Sequence, residues 1–411
     1  MSAILKSFRS DFDDMLHVWR CEMRQVLRDE GVIIFFILVP LVYPLLYSWI
    51  YNNETVHEVP VVVVDQSRSG LSRQFIRMCD ASADVRVAYY AQDLDEARRL
   101  VARQLARGVY LIPADFEMKL CRHEQAIIGV YCDMSLMLTY KALYSTAMLV
   151  SMQMGSDLQV MAGQFYTKRE EAVAVRPLDY ADVAMYNPQG GYGSFILPGV
   201  LILILQQTLV LGIGLSAGTT REQSRYNQLI PVNRHYRRTL PIIFGKALCY
   251  FMIYAVMGTW LVAVVPRLFH FPQLASWDTL LLLMLPYILA CIFFGMVVSC
   301  IVRYRENVML LMVFISIPLL FMTGVSWPQS HIPGLWQGVS WVFPSTFGVR
   351  AYVRLNSMGA SIGDVSSLLS LLWVHVLVYF AIACGVYRYQ IHLAHDDVRD
   401  RLAERRKSEE K

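Results

Sequence analysis

The chain has 411 residues, 55% of them hydrophobic and 17% charged, with a net charge of +4 and a mean hydropathy of +0.39. Soluble domains are about 45–50% apolar and about 25% charged, so the composition is that of a membrane protein; the small net charge says little by itself, and no nucleic-acid partner is expected. Gly245-Lys246 is followed by Ala247, so no G-x-x-x-x-G-K-[ST] motif occurs and the chain has no phosphate loop of its own.

Residues 1–30 set Phe8, Phe12, Met15, Leu16, Trp19, Met23, Val26 and Leu27 on one helical stripe, with Arg9, Asp13, His17, Arg20, Arg24 and Arg28 on the rest of the wheel. Such an amphipathic helix suits a membrane interface; the alternative is a surface helix packed on a soluble partner. No early apolar core is present, so no cleavable signal peptide is expected. Residues 32–51 carry no charge and form a first span, with Pro40 and Pro44 expected to kink it.

Residues 52–190 read as a water-soluble α/β domain. Strands are expected at 59–64, 85–90, 109–112 and 127–131. Helices are expected at 67–79, along Leu94 to Leu105, after Pro113, and from Met134 to Gln164. The sheet is mixed or parallel. Asp65, Ser67, Ser69 and Ser72 suit strand termination and helix capping better than catalysis. Cys79, Cys121 and Cys132 are an odd number, which argues against a disulfide framework but leaves room for one bridge.

Residues 194–217 form a second span in which Gln206 and Gln207 lie mid-membrane and should face other helices. Gly214 and Gly218 form a G-x-x-x-G pair. Residues 219–238 form a loop carrying Arg221, Glu222, Arg225, Arg234, His235, Arg237 and Arg238. Further spans follow at 242–265, 279–302 and 307–325. A Trp-, Phe-, Pro- and Gly-rich linker at 326–367 suits short re-entrant or interfacial helices. A sixth span at 368–387 leads to a basic tail at 388–411. The lone His270, His331 and His375 lack metal-ligand spacing, and no span holds an acid/base or metal cluster, so neither a metal nor a catalytic residue is expected. Tyr43, Tyr47, Gln206, Gln207, Tyr250 and Tyr254 either line a translocation path or bond helix to helix.

Near-membrane Lys and Arg gather in the first helix, the 219–238 loop, Arg303/Arg305 and the tail, against Arg267, Arg350 and Arg354 on the other side. The bias places both termini inside and the α/β domain outside. The expected fold is a polytopic α-helical membrane protein of six transmembrane helices with an inserted extracytoplasmic α/β domain.

Four stretches together resemble the permease subunits of type-2 ABC exporters, in the bacterial branch with a large extracytoplasmic domain after the first span. They are the amphipathic helix running through Arg28-Asp29-Glu30 into a proline-containing span; Asp65 to Arg73 with Ile112-Pro113 and Tyr131-Cys132-Asp133; Arg221 to Arg225 with Ile230-Pro231-Val232 and Gly245-Lys246; and Thr323-Gly324 to Pro328 with Ile332-Pro333 and Phe343-Pro344. The resemblance implies export of an amphipathic or hydrophobic substrate by a dimer of permeases, alike or different, in the bacterial inner membrane. It implies a separate ATPase subunit that holds ATP and magnesium, so that this chain needs no cofactor. Contact with that subunit falls to Arg221, Glu222 and Arg225, with Arg20 and Arg24 of the first helix as a second surface; a periplasmic adaptor is a further partner, beside membrane lipids. From the residues alone the rival reading is a receptor or scaffold whose outer domain senses a ligand.

Overall fold

A computed structural model describes residues 2–122, 124–163, 167–175, 183, 185–188, 190–223, 229–231, 234–302 and 304–409. The chain divides into two units, one of Met1–Asn52 with Met185–Lys411 and one of Asn53–Ala184.

The first unit opens with α1 (Ser2–Val26), whose Val18, Glu22 and Val26 recur at four-residue spacing and are all buried. A three-residue break follows. Asp29 then caps α2 (Glu30–Ile50), its carboxylate accepting from the Gly31 and Val32 amides at 3.0 and 3.3 Å. Ahead of Pro40, α2 widens into a π turn over Ile34–Leu38. Proline lacks the N–H that an α turn needs, and a wider turn accommodates the loss.

The second unit is a four-stranded sheet of order β2-β1-β3-β4. In chain order its elements are β1 (Val59–Asp65), α3 (Gly70–Asp80), β2 (Val85–Tyr90), α4 (Leu94–Ala102), β3 (Gly108–Ile112), α5 (Phe116–Cys121), β4 (Gly129–Cys132), α6 (Met137–Ala162) and α7 (Lys168–Val175). β1 pairs parallel with β2 and with β3, in register Val61↔Val87 and Val61↔Gly108. β4 adds antiparallel to β3, Gly108↔Cys132, so the sheet is mixed. Val59, Val61 and Val63 pack on Phe75, Ile76 and Leu143, while Val62 and Val64 face Ala97 on the other side. Alternation along β1 thus buries both faces of the sheet. Asp65 ends β1 by accepting from the Ser67 and Arg68 amides and the Ser72 hydroxyl, and Ser69 forms a capping box with Ser72. Cys79, Cys121 and Cys132 are free thiols; burial pushes the Cys79 thiol up to about 12.

The chain re-enters the first unit with α8 (Tyr192–Gln223), α9 (Thr239–Leu268), α10 (Trp277–Ile301) and α11 (Arg305–Met322). Two short helices follow, α12 (Gly334–Ser340) and α13 (Pro344–Tyr352), then α14 (Ser366–Glu409). Among the described residues, six helices are long and apolar enough to cross a membrane. The chain is therefore mostly helical and of the polytopic membrane type. α9 repeats the device of α2, a π turn over Trp260–Val264 ahead of Pro266.

The linker helix α13 packs among the spans: Pro344 to Val349, Ala351 and Tyr352 are buried against α8, α10 and α14. Its small residues Ser345, Thr346, Gly348 and Ala351 admit it between larger helices. α14 does not stop where the hydropathy falls at residue 387 but continues unbroken to Glu409. The tail is rich in Ala, Leu, Arg, Glu and Lys, all strong helix formers.

Candidate functional site

Charged side chains of the first unit collect where α1 docks. α1 lies along α9 and meets it at Gly245, where a Cβ would come within 2.7 Å of the Met15 carbonyl and 2.9 Å of Val18. Only glycine lets the backbones approach so closely. The approach brings Glu22 to Lys246, whose Nζ donates to Glu22 Oε2 at 2.6 Å with both side chains 5% exposed. Tyr250 Oη and Ser216 Oγ donate to the other carboxylate oxygen, the latter at 3.1 Å. Burial alone would raise the Glu22 carboxyl. The Lys246 ammonium and the two hydroxyls outweigh it and hold the carboxyl below the ordinary glutamate range. One carboxylate thus joins α1, α8 and α9.

A second cluster sits one turn away. Gln25 Nε2 donates to the Ser216 carbonyl at 3.0 Å and to Thr220 Oγ1 at 2.6 Å. Thr219 Oγ1 donates to Asp29, which also receives Arg305 Nη2 at 3.1 Å. Burial works against the Asp29 charge, but the Thr219 hydroxyl and the Arg305 guanidinium hold its carboxyl below the usual range. Arg305 reaches Glu222 as well, at 3.8 Å. The G-x-x-x-G pair makes this contact possible: a Cβ at Gly214 would strike Val308, and one at Gly218 would lie 2.5 Å from Arg305 Cγ. Arg24, Gln25, Arg28, Asp29, Thr219 and Arg305 line a polar cleft of about 740 Å³.

The loop after α8 closes back on α1. His235 Nδ1 lies 2.6 Å from Asp14 Oδ1, its ring stacked on His17 at 4.3 Å, and Arg238 Nη1 donates to Asp11 at 2.6 and 2.7 Å. Arg221 is 5% exposed and turns inward, donating to the carbonyls of Cys300 at 3.3 Å and Val302 at 2.7 Å. It thereby satisfies orphan acceptors at the end of α10. Glu222 is half exposed, and Arg20 and Arg24 are exposed on the outer face of α1. Arg225 lies outside the described residues.

The six polar residues expected in the spans divide by environment. Gln206 is buried, its Oε1 accepting from the Ser345 amide of α13 at 2.6 Å. Both amide atoms of Gln207 are buried without a hydrogen-bond partner among the described residues. Tyr250 bonds Glu22, and Tyr254 donates to Thr208 Oγ1 at 2.9 Å, so both join helix to helix. Tyr43 and Tyr47 are more open, their hydroxyls 3.0 Å apart on α2.

Glu22 is absent from the motifs of the sequence, while Asp29 and Lys246 lie within them and Arg305 within the charge bias without being expected as site residues. Their signals were nonetheless present. Glu22 is an acid set between Val18 and Val26 on the apolar stripe of α1, and Lys246 is a cation inside the start of the third span, a position that calls for a partner.

Residues 31–384 match the model of the ABC-2 family of transporter proteins. Over 328 residues the chain is 22% identical to the probable multidrug ABC transporter permease YbhR of Escherichia coli K12, covering 79% of this chain and 84% of that protein. The same figures hold for YbhR of Escherichia coli O157:H7. ABC transporter G family member 20 of Dictyostelium discoideum is 20% identical over 244 residues, 58% of this chain and 32% of that protein. A family match over most of the chain, six membrane-length helices and similarity to a permease agree, and the chain belongs to the ABC-2 family of transporter proteins as an ABC transporter permease subunit.

Proposed function

We propose that the polar hub around Glu22 is the transmission element between this permease and a separate ATPase subunit. The observation that carries the reading is the buried Glu22–Lys246 pair. It ties an amphipathic helix with exposed arginines to α9, and the Ser216 hydroxyl on the same carboxylate adds α8, so both helices that flank the 219–238 loop are joined. A push on Arg20, Arg24 or Glu222 is delivered through Glu22 and Asp29 to α8, α9 and α11, because buried, hydrogen-bonded charges do not slip past one another at low cost. ATP and magnesium belong to the partner, and ATP binding there closes the motor and moves the spans.

The remaining assignments rest on the family and on charge. The permease works in a bacterial inner membrane as a dimer, alike or different, with both termini cytoplasmic and the α/β unit outside, where an adaptor protein meets it. The cargo is an amphipathic or hydrophobic compound, in keeping with the multidrug description of YbhR. Glu222→Ala combined with Arg225→Ala should leave membrane insertion and dimerisation intact while transport is lost and ATP hydrolysis by the partner no longer responds to the permease. Vesicle transport and ATPase assays on the same preparation test this; unchanged transport in the double variant would end the claim.

A further inference from the structure

The second unit holds a cavity of about 830 Å³ between α6 on one side and α5 with β4 on the other. Small-molecule sites are commonly clefts of about 300–1,000 Å³ with apolar floors and a few polar groups. Buried Phe75, Phe116 and Met154 make the floor here. Tyr140 and Tyr144 stand beside it, their rings 5.8 Å apart and inclined by 14°. The lining includes one carboxylate, that of Glu124, and no Lys or Arg among the described residues. Tyrosine faces beside a carboxylate attract a cation and repel an anion.

Gly155 is an independent observation. It lies in the interior of α6, where glycine is less favourable than every residue but proline. A Cβ at Gly245 would collide with α1, whereas a Cβ at Gly155 would meet nothing within 4 Å. No neighbour requires glycine at this position. What the missing side chain does is leave open the cavity that Gly155 lines.

We infer that this cavity binds an amphipathic organic cation with a flat aromatic body, its ring against Tyr140 and Tyr144 and its charge towards Glu124. The site adds a capture point to the export reading, on which its biological sense rests, but its chemistry is measured without any ATPase. The full-length chain in lipid nanodiscs is titrated with rhodamine 6G, a planar cation, and binding is followed by fluorescence anisotropy against empty nanodiscs. Fluorescein, a planar anion, is the control.

Gly155→Leu fills the cavity while improving helix propensity. It should leave the thermal midpoint unchanged or higher and weaken rhodamine binding at least about tenfold. Ser151→Phe, one turn earlier, carries the same test should Gly155→Leu reduce the yield of folded protein. Glu124→Gln should weaken the cation several-fold and narrow its advantage over fluorescein. Glu222→Ala, which belongs to the transmission hub, should bind rhodamine as the unaltered chain does, so a failed export reading and a failed binding site give different results. Rhodamine binding that survives both cavity-filling variants, or fluorescein binding equal to it, would overturn the inference.

Discussion

Glu22 and Lys246 are each 5% exposed, and each would remain as an uncompensated buried charge if the other were removed. Breaking such a pair from one side costs about 3–5 kcal/mol, whereas replacing both members with apolar side chains is often near neutral. Glu22→Ala and Lys246→Ala should therefore each lower the thermal midpoint of the purified permease, and Glu22→Leu with Lys246→Met should recover most of the loss. A double variant as unstable as the sum of the singles would show that the two charges are not coupled. The neighbouring glutamines give the opposite contrast. Gln206→Leu strips the Ser345 amide of its acceptor and should destabilise by about 1–3 kcal/mol. Gln207→Leu removes an amide with no partner among the described residues and should stabilise. Nothing local in the sequence separates these two glutamines. What distinguishes them is the arrival of α13, whose amide is 139 positions away from Gln206, and hydropathy is blind to pairings at that range.

At the scale of elements, α1 is held at several points, through Asp11, Asp14, Glu22 and Gln25, with Asp29 in the break that follows it. The amphipathic stripe was legible from periodicity, because Phe, Met, Trp and Val recur at helical spacing. The surface it covers was not, because nothing next to Gly245 in the sequence shows that α1 is laid across it. Gly245→Val should prevent that docking and raise the hydrogen exchange of residues 2–26 without removing the spans from the membrane. The carboxyls of Glu22 and Asp29 are both held below their ordinary values. A lowered folded-state pKa contributes stability that is fully present above the unfolded value, about 4 for these groups, and is lost as pH falls through the folded value. Exchange of α1 amides, corrected for intrinsic rates, should thus stay slow from neutral pH to about 5 and accelerate only below about 4. Release of α1 on raising the pH from 6 to 8 would contradict this assignment.

For the whole molecule, long apolar blocks and the polar stretch between the first two of them were the strongest signals, and they lie open to reading because a bilayer demands about 20 apolar residues per crossing. Helix length beyond the hydrocarbon carries no such demand, which is why the end of α14 could not be read from hydropathy. Its 44 residues extend about 66 Å at 1.5 Å per residue, roughly twice the bilayer core. Its charged end must therefore leave the membrane. The proposed topology puts that end and α1 inside and the α/β unit outside, and two native thiols can report on it. Cys21 of α1 and Cys121 of α5 are both exposed, while Cys79, Cys249, Cys291 and Cys300 are buried. With the half-buried Cys132 and Cys384 changed to Ser, a membrane-impermeant maleimide added to intact spheroplasts should label Cys121 and spare Cys21. Permeabilisation should then expose Cys21. Mass spectrometry of the two peptides reads the result directly. Labelling of Cys21 before permeabilisation would invert the topology, and with it the side from which an ATPase could reach Arg20, Arg24 and Glu222.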